Sequence, residues 1–130
     1  MAANDPNERW LKGGCHCAAV RFEVRVEVWS GLRCNCSICQ MTGFWHLIVD
    51  GDAFRLVAGA EVLTSYRFNS GVADHTFCAV CGVKPFYHPR SHPNGISVNI
   101  RCLDDAEARG RFVLRPFDGH NWEANIDEIR

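Results

Sequence analysis

The 130-residue sequence contains no apolar run that could cross a bilayer; its longest, "FWHLIV" (44–49), falls far short of the roughly 20 residues a spanning helix needs. The opening "MAANDPNERW" lacks the hydrophobic segment of a secretory signal. Neither charge sign dominates: 14 Lys and Arg stand against 15 Asp and Glu, interspersed throughout, which leaves no basic footprint for nucleic acid or an anionic membrane. No Pro/Ser-rich linker, internal repeat or low-complexity segment divides the chain. Helical periodicity is almost missing too, with only "LDDAEARG" patterned as a helix of about two turns. These absences predict a soluble cytoplasmic protein with a single domain over residues 1–130 and no nucleic-acid or membrane partner.

What the sequence does have is cysteine, eight residues of it. In a reducing cytosol eight thiols do not form a disulfide framework, so metal binding is the better account. Their spacing supports it: Cys15 and Cys17 in "CHC", Cys34, Cys36 and Cys39 in "CNCSIC", Cys78 and Cys81 in "CAVC", then Cys102 alone. Soft thiolates in C-x-C and C-x-x-C pairs select zinc or an iron–sulfur cluster. The lack of a long C-x2-C-x2-C run turns the choice to zinc, with two Zn²⁺ sites expected.

The rest of the pattern is β. In "AVRFEVRVEVW", Val20, Phe22, Val24, Val26 and Val28 alternate with Arg21, Glu23, Arg25 and Glu27, the period of a half-buried strand. "GFWHLIVD", "AFRLVAG", "LTSYRFN", "KPFYHP", "GISVNIRCL" and "RFVLRPF" are further strands between Gly, Asn, Asp and Pro turns. The predicted fold is all-β: one zinc-stabilised antiparallel β-sheet domain with one short helix at most.

The thiols divide unequally. Cys102 shares the parity of Ile96, Val98 and Ile100 and counts most economically as a small buried hydrophobe. Cys15, Cys17, Cys78 and Cys81 supply the four thiolates of a closed tetrahedral site, which is structural, and Gly82 fits a knuckle turn that needs a positive φ. Cys34, Cys36 and Cys39 are three. A zinc with three protein ligands keeps a position for water or substrate, as catalytic sites do; the alternative is a fourth ligand from afar, His46, His75, His88, His92 or Cys102, making a second closed site.

Taken in order, "GGCHC", "CNCSICQ", "TFCAVCG", "NIRCLDD" and "FDGHNWE" resemble the family of glutathione-dependent formaldehyde-activating enzymes and the related centromere protein V domain. The likeness runs over a core of about residues 11–123. It implies a zinc-stabilised all-β fold in which Cys15, Cys17, Cys78 and Cys81 are structural zinc ligands and Cys34, Cys36 and Cys39 hold the catalytic zinc. It also implies carbon–sulfur lyase activity on a small thiol adduct such as S-hydroxymethylglutathione. The rival expectation is a non-catalytic binding module with two structural zinc sites.

Other residues have two readings each. Arg33, Arg90 and Arg101 could reach substrate carboxylates or simply be solvated. The segment "YHPRSHPNG", Tyr87 to Gly95, is either a lid over the open metal or, on the favoured reading, a proline-stiffened hairpin loop. Phe44, Trp45 and Phe77 could wall an apolar pocket, although core positions are commoner for aromatics. His16 and His120 are expected to face solvent or cap turns. A homodimer through an exposed strand edge is open to such a sheet.

Overall fold

The structure is a computed structural model describing residues 9–68 and 71–128. Among the described residues ten strands form three sheets. Strands β1 (Arg9–Gly14), β2 (Arg21–Val26) and β5 (Phe54–Ala58) make one, in the order β1-β2-β5. The largest runs β10-β3-β4-β9-β8, from β3 (Ser30–Cys34), β4 (Trp45–Asp50), β8 (Phe86–Tyr87), β9 (Gly95–Asn99) and β10 (Val113–Phe117). Strands β6 (Leu63–Tyr66) and β7 (His75–Cys78) pair as a two-stranded ribbon. The expected β class therefore holds, but one antiparallel sheet does not: there are three, and β10 runs parallel to β3.

The alternation read in β2 is the alternation observed. Val20, Phe22, Val24 and Val26 are each at most 1% exposed, whereas Val28 is 69% exposed because the strand ends at Val26. The buried face of β2 packs with Leu11, Leu47, Phe86, Val98, Ile100 and Leu103 into the main core. Phe22 stacks on Phe54 and meets Phe86 edge-on, with centroids 5.7 and 6.5 Å away. Each such fully buried side chain contributes about 1.5–3 kcal/mol.

Helix is richer than the single short segment expected. α2 (Ala106–Arg111) is the predicted one, its N-terminus capped by the Asp105 carboxylate, which accepts from the amides of Glu107 and Ala108. α1 (Ser37–Thr42) and α3 (Trp122–Asn125) were not expected; each is too short to show a period in sequence. α1 is ended by Gly43, whose φ of +66° is the left-handed cap that glycine adopts without a Cβ penalty. β1, β3 and β7 also escaped the sequence reading, since none alternates cleanly.

Candidate metal centres and the cavity beside them

All eight cysteines are unbridged. Cys15 and Cys17 sit in the turn joining β1 to β2, while Cys78 ends β7 and Cys81 follows in the next turn. The fold brings these four together: their sulfurs all lie within 4.8 Å of one another, with Cys15 to Cys17 at 3.6 Å and Cys17 to Cys78 at 3.7 Å. A tetrahedron with Zn–S bonds of about 2.3 Å has edges of about 3.8 Å, so the spacing suits zinc. Gly82 has a φ of +79°, as the knuckle turn requires, and Ala18 takes the equivalent left-handed position, φ +67°, in the first turn. Backbone amides of Val20 and Val80 point at the sulfurs of Cys15 and Cys78, at 3.3 and 3.4 Å.

The second group is built by the end of β3 and the start of α1. Cys34 closes the strand, Cys36 occupies the N-cap and Cys39 lies buried one turn into the helix, so the three sulfurs converge within 4.8 Å. Among the described residues no histidine, acid or further cysteine joins the three at that distance, Cys102 included. Cys102 is half-buried against the core, its thiol pushed up to about 12 by desolvation. Hydrogen bonds among the three thiols concentrate ionisation on Cys36. Those from Cys34 and then Cys39 pull Cys36 down to about 2, and the same contacts push Cys34 and Cys39 up. Soft donors, convergence and the need for a counter-charge all fit a divalent ion at either cluster.

His46, on β4, stands behind the trio. Its Nε2 lies 3.1 Å from the Cys39 sulfur, and its Nδ1 lies 3.0 Å from the Ser97 hydroxyl and 3.3 Å from that of Tyr87. Burial lowers the imidazole to about 3, so it is neutral. A hydroxyl donating to Nδ1 would leave the ring proton on Nε2, where a thiolate sulfur of Cys39 can accept it.

The trio opens onto a cavity of about 570 Å³. His46, His75, Tyr87 and Phe117 line it, and the C-terminal segment Gly119–Ala124 closes one side. That segment packs so tightly that a Cβ on Gly119 would collide with the Cys34 sulfur. It is anchored by Asp118, which accepts from the side-chain amides of Asn35 and Asn121 at 2.9 and 2.8 Å. Its carboxyl is held below its usual range by those same bonds, Asn121 first.

The remaining candidates sort clearly. Of the three arginines, only Arg90 lines the cavity; it stacks over the Trp122 ring at 3.4 Å and lies 3.8 Å from Glu123. Arg101 stacks on Trp45 instead, and Arg33 lies on β3 away from the cavity lining. The segment Tyr87 to Gly95 runs from the end of β8 through the hairpin loop to the start of β9, and Tyr87, Pro89, Arg90 and Ser91 form cavity wall. Phe44 is core, packed 4.6 Å from the His46 ring, and neither Trp45 nor Phe77 reaches the cavity. His16 is exposed as expected; His120 is exposed but lines the cavity. The sequence reading overlooked Lys84, Ser97, Gly119 and Trp122. Lys84 carried a signal, a single charge inside the otherwise apolar "GVKPFY".

Residues 10–117 match the profile of the family described as glutathione-dependent formaldehyde-activating enzyme. The chain belongs to that family. A curated relative from Halomonas elongata, named "Putative glutathione-dependent formaldehyde-activating enzyme", is 38% identical over 80 residues, covering 55% of this chain and 51% of that protein. The match thus spans about half the length of that relative. A crystal structure of a Rhodobacter sphaeroides protein superposes with a TM-score of 0.70 at 34% identity, covering 81% of this chain and 100% of that one. Among the described residues no helix is long and apolar enough to cross a membrane.

Proposed function

We propose that the protein is a zinc-dependent carbon–sulfur lyase-like enzyme that joins a small thiol such as glutathione to formaldehyde and releases it in reverse. Cys15, Cys17, Cys78 and Cys81 hold a structural zinc; Cys34, Cys36 and Cys39 hold the second ion. The observation that carries the reading is the trio of sulfurs converging in the lining of the cavity with no fourth protein donor among the described residues. A zinc ion in that position favours the thiolate form of a substrate sulfur at neutral pH. Three thiolates leave the ion weakly Lewis-acidic, which suits thiol chemistry better than peptide hydrolysis. The His46 Nε2–H on Cys39 withdraws charge from the trio and fixes the orientation of that sulfur. Arg90, which lines the cavity over the Trp122 ring, would exchange its contact with Glu123 for a carboxylate of the thiol.

The test separates this reading from a binding module with two structural metals. Cys39→Ser is expected to stay folded by far-UV circular dichroism, bind one zinc per chain and lose formation of S-hydroxymethylglutathione from glutathione and formaldehyde. Cys81→Ser is expected to unfold, because metal binding at that cluster is folding free energy. If both variants collapse alike, or Cys39→Ser keeps the wild-type rate, the enzyme reading is wrong.

A further inference from the structure

Lys84 breaks the ordinary rule for an ammonium group. It is 7% exposed, yet no carboxylate among the described residues pairs with it. Its polar contact is His75 Nδ1 at 2.6 Å, and it lies over the rings of Tyr87 and Phe44 at 4.1 and 4.8 Å. An isolated buried cation is unfavourable unless something nearby gains from it. Two groups do. The negative charge of Cys39, Cys36 and Cys34 favours the protonated amine, although burial still lowers it to about 8. The other is His75, which stacks on Tyr87 at 4.7 Å and on Phe68 at 5.3 Å.

An ammonium can only donate, so its bond to Nδ1 makes that nitrogen an acceptor and leaves the ring proton on Nε2. Burial and Lys84 together hold the ring down at about 4, so it stays neutral. No described residue takes Nε2, and Nε2 is not sealed from solvent. His75 lines the cavity, whereas Lys84 lies behind it.

We propose that His75, kept in its Nε2–H form by Lys84, is a hydrogen-bond donor to the oxygen of an aldehyde-derived hydroxymethyl group in the cavity. The inference rests on the thiol–aldehyde reading of the three-cysteine site. In the addition step a carbon–sulfur bond forms, the carbonyl π bond breaks and its electron pair moves to oxygen. The thiol loses one proton to solvent and the oxygen gains one from solvent. His75 steadies the oxygen while negative charge develops there and gives up no proton of its own; Lys84 is a positioning residue.

The test uses the zinc-loaded full chain. Nitrogen-15 histidine spectra should show His75 as the Nε2–H tautomer, and Lys84→Met should release it into a tautomer mixture. The double variant His75→Phe/Lys84→Met keeps a ring in the aromatic stack and strands no buried polar group. It should bind zinc and glutathione within threefold of wild type while its rate of S-hydroxymethylglutathione formation falls about 100-fold, the usual cost of losing one donor to a developing oxyanion. A wild-type His75 protonated on Nδ1, or a double variant turning over within threefold of wild type, overturns the proposal. If wild type does not turn over glutathione and formaldehyde, the thiol–aldehyde reading fails and His75's assignment as donor to that group falls with it, whatever its tautomer.

Discussion

Gly119 has room for a hydrogen and nothing more, since a methyl group would press into the Cys34 sulfur. Gly119→Ala should therefore displace that sulfur. Elemental analysis is expected to find one zinc per chain instead of two, with a stability loss of about 1–3 kcal/mol by denaturant titration, the cost of overpacking. The buried Lys84–His75 pair makes a second prediction, this time in pH. His75 titrates near 4 folded and near 6.5 unfolded, so between those values the unfolded chain binds more protons and stability rises with pH. Lys84, lowered from 10.5 to about 8, produces a second rise across that interval for the same reason. Denaturation midpoints measured from pH 4 to 10.5 should lose the rise between 8 and 10.5 in His75→Phe/Lys84→Met and keep only a reduced rise below 6.5, the part that His46 contributes; curves that superpose on wild type would refute the assignment. Single residues were unevenly legible. Cysteine announces itself through chemistry and spacing, and Gly82 through the turn it must make. Lys84 and Ser97 act through partners 9 and 51 residues away in sequence, and no local pattern encodes such a meeting.

The elements that carry the second cluster are short. α1 supplies Cys36 and Cys39 from one turn, so its frame depends on its two ends, and the left-handed Gly43 at its C-terminus is the one that tolerates no side chain cheaply. Gly43→Val is expected to cost about 1–2 kcal/mol and to weaken zinc binding at the second cluster more than at the first, read by competition with a chromophoric chelator. Strands with strict alternation, β2 above all, were readable because one face is core and the other water. β9 has all five residues buried, and β3 and β7 are brief and mixed, so periodicity marks them weakly or not at all. The parallel partnership of β10 with β3 joins segments 83 residues apart, such as Phe117 with Cys34, and sequence patterning has no means of announcing it.

Across the molecule, the first cluster fastens the β1–β2 turn to the end of β7, a closure of more than 60 residues that no sheet ladder makes. Removing metal with a strong chelator should unfold the whole chain cooperatively, and the far-UV and tryptophan-fluorescence changes should coincide; a chelated protein that keeps its native spectrum would count against a structural role for that ion. The family and the β character could be read from motifs, because three cysteine groups in fixed order are rare by chance. The cavity could not: its walls come from β4, β7, β8, the β8–β9 loop and the C-terminal segment, which only folding assembles.

The order in which a ribosome delivers these pieces matters. Every thiol of the trio emerges within a few residues of the others, but β10 and the cavity-lining segment Gly119–Ala124 follow them much later in the chain. The three sulfurs are thus delivered together, ahead of the residues that cover them on the cavity side, and a divalent ion would meet them before that cover exists.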